Sequence, residues 1–381
     1  MIFVLMPASH YQIEICKTLK SQGHFVVGVN PFETQTSKMC DQFICEDIKN
    51  IENISKLLKI KPNMIITDQC DSAVIPCTKL AHIFSIPSFP NISPSNAMLF
   101  INKQAMYNHA MKQNIPIPQF EVVENAMEIK INGNIILKPI DSTSSRGFQK
   151  SKKEDITEEF FNTSKKQGSG KVIAQREVFG EEISIEGFCI NGKHKSIVAS
   201  DKNSNLNIVS NLYENRSWPS QKKQEILKRV FEMNDRFVES SGLIHGITHA
   251  EYMIDSDDIW MIEIACRGGG HHISSKVIKE LTDVNIYENI LKIKNYPKLL
   301  RNKNVLLKFF YLKKTITENE EEKIKKIKNI VELDTRNCKC VTPNEILLNS
   351  DSRMYVIISS KDIDEIKKSV KEIEKIIEQF K

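Results

Sequence analysis

The first 90 residues alternate short apolar runs with amphipathic stretches, and this alternation limits the fold more than any other feature of the chain. IFVLM (2–6), FVVGV (25–29), FIC (43–45) and MIIT (64–67) are too short for helices. Between them, Tyr11 to Ser21 places Ile13, Cys16 and Leu19 on one face, and a second helical stretch runs near Ile51 to Ile60. Apolar strands separated by helices build a parallel sheet covered on both sides. The glycines of this part are Gly23 and Gly28. No G-x-G-x-x-G can form, so a nicotinamide dehydrogenase loses its main support.

The chain has 381 residues, enough for two or three domains with real cores. Its 53 basic and 48 acidic residues give a net charge of +5, with lysines interleaved among glutamates, so nucleic-acid binding is not expected. No apolar run reaches the length of a membrane span, and MIFVLM lacks a basic n-region and breaks at Pro7, which reads as a first strand and not a signal peptide. Nine cysteines with no C-x-x-C pair fit neither a disulfide framework nor a zinc ribbon and point to free thiols in a reducing cytoplasm. Cys338 and Cys340 read as alternating strand residues, with a shared metal as the alternative.

SIPSFPNISPS (85–95) reads as a linker, followed by a helix from Asn96 to Gln113 capped by Ser95. NIILKPI, a Ser/Thr/Gly loop and a helix near Glu154 to Lys166 come next, and Asn191-Gly192 predicts a hairpin between EISIEGFCI and HKSIVAS. Residues 222–241 carry Ile226, Val230, Met233 and Phe237 on a helical stripe. Beyond 300, VLLKFFYL, a lysine-glutamate helix, MYVIIS and a final helix bearing Ile363, Ile366, Val370, Ile373, Ile377 and Phe380 complete the pattern. With about three heptads, that last helix is expected to dock on the protein and not to form a coiled coil.

Lys138 stands between a strand and a proline, just before DSTSSRG. The small residues Ser142, Thr143, Ser144, Ser145 and Gly147 would let backbone N–H groups approach phosphate oxygens, and Arg146 would add a bidentate contact, although a mobile surface loop looks the same. Lys103, taken alone, is an ordinary helix lysine. Strand alternation puts Glu182, Ser184 and Glu186 on one face, facing either solvent or a ribose held by Glu182.

GITHAEYMIDSDDIWMIEIACRGGG reads as two strands joined at Asp255 to Asp258. An odd loop or a bulge would set Glu251 opposite Glu263, where two like charges repel unless a divalent cation lies between them. A two-residue turn at Ser256-Asp257 would put them on opposite faces. Arg267 would point past such a metal toward a transferring phosphate, and the glycines after it would let a ligand approach the backbone.

The ordered series of a lysine helix, a strand lysine, a Ser-rich flap (KP…S-x-S-R-G), a G-x-E strand and H-x-E…IE-x-x-R-x-G-G resembles the ATP-grasp superfamily, in its carboxylate–amine (amino-acid) ligase branch. The resemblance spans essentially the whole chain. It implies an α/β protein with an N-terminal parallel-sheet domain (1–95), an α+β grasp of two subdomains (96–172, with the phosphate flap, and 173–298, with the metal site) and a small C-terminal α+β lobe (299–381). It implies that Lys103 and Lys138 contact ATP phosphates beneath a flap containing Ser142, Ser144, Ser145 and Arg146. The segment Gln175, Glu177, Val178 would hold the adenine, Glu182 the ribose, Glu251 and Glu263 Mg2+ or Mn2+, and Arg267 the acyl phosphate and carboxylate. His249, on the face of Glu251, falls in the acceptor-substrate pocket, whereas His271 and His272 read as structural. Gln175 and Ala265 depart from the glutamate and asparagine usual in relatives.

The expected reaction joins a small carboxylate to an amine, both small molecules, with ADP and phosphate released; a carboxylase-like or phosphotransferase grasp enzyme and a nucleotide-binding module without turnover are the alternatives. Enzymes of this type commonly dimerise.

Overall fold

The computed structural model describes residues 1–142, 146–203, 215–290, 295–300, 302–310, 312, 316–335 and 354–380. Ser144, Ser145, Cys338 and Cys340 lie outside them.

Strands β1 (Ile2–Leu5), β2 (Phe25–Asn30), β3 (Gln42–Cys45), β4 (Met64–Ile66) and β5 (Ser88–Phe89) form a wholly parallel sheet in the order β3-β2-β1-β4-β5. Alternate residues serve its two faces. Phe3 and Leu5 pack with Ile15, Cys16 and Leu19 of helix α1 (Ile13–Ser21), while Val4 and Val27 pack with Ile54 of α3 (Ile51–Leu57) and with Ala73, Cys77 and Leu80 of α4 (Asp71–Phe84). The short α2 is Gln35–Met39. The order reverses between β1 and β4, so the crevice at their C-terminal ends is a switch point of the kind where open α/β sheets bind ligands. The stretch 85–95 is more than a linker, because Ser88 and Phe89 pair with Ile65 and Ile66 and the Phe89 ring is buried.

The single helix expected over 96–113 is two: α5 (Pro94–Ile101), capped by Ser93, and α6 (Lys103–Lys112), capped by Asn102. The break has a local cause. Asn102 is extended, its side chain accepts from the Ala105 N–H at 3.0 Å, and the Lys103 N–H leaves the helical ladder to donate to Ile140 O at 2.8 Å. The break swings Lys103 inward.

Four antiparallel strands follow, β6 (Phe120–Val123), β7 (Asn134–Pro139), β8 (Gln149–Lys152) and β9 (Val172–Arg176), ordered β6-β9-β7-β8. One face of this sheet packs Ile135, Leu137 and Ala174 on Phe161 of α7 (Glu158–Lys165); Ile173, Gln175 and Lys138 lie on the other.

The third sheet has eight strands: β10 (Glu181–Ile190), β11 (Lys193–Asn203), β12 (Asn215–Trp218), β13 (His245–Asp255), β14 (Asp258–Ala265), β15 (Asn304–Phe310), β16 (Ile330–Asp334) and β17 (Met354–Ser360). Their order is β14-β13-β10-β11-β12-β15-β17-β16. Asn191 and Gly192, both at positive φ, close the β10–β11 hairpin as its sequence predicts. Helix α8 (Gln224–Ser240) buries Val230, Met233 and Phe237 against this sheet. After α9 (Ile278–Thr282), β15 pairs directly with β12, so the C-terminal strands extend the same sheet. Helices α10 (Glu318–Lys325) and α11 (Ile363–Ile377) close the core there, and α11 docks through Ile366, Ile373 and Ile377. Among the described residues, no helix is long and apolar enough to cross a membrane.

Candidate active site

The β13–β14 hairpin closes with the tight turn that would have separated the two glutamates: Asp255 faces Asp258 across Ser256-Asp257. A bulge reverses the consequence. Tyr252 pairs with Met261, but the next pair is Glu251 with Glu263, leaving Ile262 as the extra residue. The two acids therefore face each other on one side of the sheet.

Cations surround them. Glu251 accepts from Lys202 Nζ at 2.9 Å and Arg216 Nη2 at 3.0 Å, with His249 Nε2 at 3.6 Å. Burial works to raise the Glu251 pKa, but Lys202, His249 and Arg216 together hold it well below the usual carboxylate range. Lys202 also pairs with Glu182. Lys103 Nζ lies 3.5 Å from Glu263 and donates to Ser142 O at 2.6 Å. Lys138 is buried, and its ammonium donates to the Tyr107 hydroxyl at 2.7 Å. Burial pushes the Lys138 pKa down to about 8, against the pull of Glu263, Glu251 and Glu182.

Lys103, Lys138, Glu182, Glu251 and Glu263 thus share one charged region between the two antiparallel sheets. Gln175, at its edge, accepts from the Tyr107 hydroxyl at 2.9 Å. Glu177 pairs with Lys150, and Val178 is half-buried between β9 and β10. Ser142 Oγ donates to Arg146 O at 2.8 Å and the Arg146 residue is exposed. His249 is buried, its Nδ1 2.7 Å from Glu186; burial opposes its charged form, yet Glu186 raises its pKa overall.

Arg267 is anchored on the first sheet. Its guanidinium grips Asp71 of α4 through Nε (2.9 Å) and Nη2 (2.6 Å), with Nη1 on Gly268 O at 3.0 Å. Asp68 accepts from the Gly268 N–H at 2.6 Å and from Ser274 Oγ at 2.6 Å, and Gln69 from the His272 N–H at 2.9 Å. The glycine loop thus sits on the switch point of the first sheet. His272 meets His10 at 3.0 Å between Nε2 atoms, and His271 packs its ring on Phe309 and Tyr355, so both are built into this junction.

Among the described residues, no group of three or more His, Cys, Asp and Glu is arranged to hold a metal by itself. Two facing carboxylates suit Mg2+ or Mn2+, hard cations that complete their shells with water and phosphate oxygens. A cavity of about 980 Å³ lies elsewhere, between β12, β15 and α11, and none of these residues lines it.

The sequence reading missed Tyr107, Lys202, Arg216, Asp68 and Asp71, and it set Glu186 on the face of Glu182 without giving it a role. Tyr107 had a usable signal, since it follows Lys103 by one helical turn and shares its face. The others gave none: their partners come from strands and loops remote in sequence.

Residues 100–271 match the family described as ATP-grasp domain. No curated protein sequence matches the chain significantly. Among solved structures, an L-amino acid ligase from Bacillus licheniformis superposes with a TM-score of 0.81 at 15% identity, over 98% of this chain and 96% of that one. A carboxyaminoimidazole ribonucleotide synthase from Aspergillus clavatus, complexed with ATP, gives 0.78 at 12% identity over 100% and 99%. A phosphoribosylglycinamide synthetase from Anaerococcus prevotii gives 0.70 at 15% identity over 98% and 97%. The sequence match and the shared fold agree: residues 100–271 carry an ATP-grasp domain.

Proposed function

We propose that this protein is an ATP-dependent ligase that joins a small carboxylate, an amino acid or similar molecule, to an amine. The observation that carries the reading is the convergence of Glu251 and Glu263 with Lys103 and Lys138 in one charged region. The solved ligases of the same fold support it.

In this reading a carboxylate oxygen attacks the γ-phosphorus of ATP, the bond to the bridging oxygen breaks, and ADP leaves an acyl phosphate behind. The amine nitrogen then attacks the acyl carbon, phosphate departs, and the nitrogen loses a proton to give the amide. Lys103 and Lys138 stabilise phosphate charge from fixed, buried positions, where such contacts act strongly. Gln175, Glu177 and Val178 hold the adenine and Glu182 the ribose; Ser142, Ser144, Ser145 and Arg146 belong to the flap that excludes water from the mixed anhydride. Glu251 and Glu263 would hold Mg2+ or Mn2+, which when bound neutralises phosphate charge. Arg267 reaches the acyl phosphate from the switch point, and His249 borders the acceptor. The units 1–95, 96–172, 173–298 and 299–381 are the proposed division of labour, with the nucleotide between the second and third.

ADP release on adding pooled amino acids and MgATP, with mass detection of the product, tests the reading. An amide is the expected product. A carbamate or phosphoester, or ATP binding with no turnover on any pool, would replace it with one of the alternatives.

A further inference from the structure

Tyr107 takes no part in the chemistry above, yet its hydroxyl touches three strands at once. It is fully buried, and it lies 2.7 Å from Lys138 Nζ on β7, 2.9 Å from Gln175 Oε1 on β9 and 2.9 Å from Ile262 O on β14. Ile262 is the bulged residue that brings Glu263 opposite Glu251. The arithmetic of donors is tight. An ammonium only donates, so the phenol oxygen accepts from Lys138, and its single proton is left for two acceptors, Gln175 Oε1 and Ile262 O. At full strength it serves one of them at a time.

We infer that Tyr107 is a positioning residue whose one proton is shared between the Gln175 amide and the bulge carbonyl, so that filling the base position beside Gln175 releases it to fix the bulge and the facing of Glu251 and Glu263. The inference rests on the ligase reading, in that it takes Gln175 to face the nucleotide base. The base end of the site is then coupled to the metal end through one hydroxyl, without passing through the phosphates. A ligand that engages the Gln175 oxygen in place of Tyr107 tightens the carboxylate pair, whereas a triphosphate without a base does not.

The test compares Mn2+ affinity, read by electron paramagnetic resonance, at saturating non-hydrolysable ATP analogue and at saturating inorganic triphosphate. Wild type should bind Mn2+ about tenfold more tightly with the analogue. In Tyr107→Phe, whose ring keeps its contact with Phe120 (centroids 5.0 Å apart), the two affinities should converge on the weaker value. In Gln175→Leu, which removes the competing acceptor, they should converge on the stronger one. A merely structural role would not move the two variants in opposite directions. Tyr252→Phe, which loses a buried hydroxyl bonded to Asn234 on the far side of the strand, should keep the wild-type gap. A gap that survives in Tyr107→Phe, or is absent in wild type, overturns the inference alone. Failure of wild type to bind the nucleotide analogue at all overturns the ligase reading, and the inference with it.

Discussion

Lys138 keeps a charge where water does not reach, and that has measurable consequences. Burial sets its pKa at about 8, below the usual lysine value, so in the folded state it releases its proton first. The folded-state cost of the charge is therefore fully present below about pH 8 and fades as pH rises toward the unfolded value near 10. Lys138→Met should melt at a higher temperature than wild type at pH 7, with the difference closing toward pH 10, while losing nucleotide affinity. If Lys138 meets phosphate as proposed, calorimetry across pH should find wild-type nucleotide affinity flat below about pH 7 and falling toward tenfold per unit well above pH 8. Glu263→Gln should reduce ADP release by at least about a hundredfold while retaining part of the nucleotide affinity. Full activity in that variant would mean that the metal does not bind there. At this scale the sequence singled out residues whose neighbours carry a pattern, such as Lys138 before DSTSSRG, and the structure places Lys138 in the same charged region as Glu251 and Glu263. It concealed Lys202 and Arg216, which become site residues only because two strands bring them to Glu251.

A tight turn and a bulge together decide what the hairpin can do, and only the turn is written locally. Apolar alternation predicts both strands, but the extra residue at Ile262 answers to Glu263, whose burial and charge neighbours come from α6 and β13. The same holds for the break between α5 and α6: the helical pattern runs through Asn102, and the Lys103 N–H leaves it for the Ile140 carbonyl just beyond β7. Gly180 is a different case, where geometry excludes alternatives. It has φ +137°, and a Cβ there would come within 2.2 Å of Ile254 O. Gly180→Ala should cost about 1–3 kcal/mol of stability in urea titration and loosen the segment just before it that is proposed to hold the base, since β10 would have to move off β13. Ser256, at φ 55°, is the opposite opportunity. Ser256→Gly should stabilise by about 0.5–1 kcal/mol, and an unchanged urea midpoint would show that the left-handed turn carries little strain.

In the molecule as a whole, the N-terminal parallel sheet was legible from its alternating strand and helix periods, while the order of the later parts rested on the resemblance of the motif series. What was not legible is how the parts meet. Nothing near VLLKFFYL tells that β15 continues the sheet of β12, and nothing near Arg267 tells that it is clamped to Asp71. That clamp predicts a strong coupling. Asp71→Asn should destabilise the protein by about 3 kcal/mol by leaving a poorly hydrated guanidinium without its carboxylate. Asp71→Asn and Arg267→Met combined should cost less than their sum in a double-mutant cycle; simple additivity would place the two in separate roles. The seating of the glycine loop on the first sheet reaches further. Asp68 and Gly268 are 200 residues apart in the chain yet joined by one hydrogen bond. Under the ligase reading, a substrate resting at that seam would be walled by two regions of sequence at once, so a change of preferred acid or amine would demand matched substitutions in both, and an N-terminal segment transplanted alone from a relative would bring its selectivity without the floor that selectivity needs.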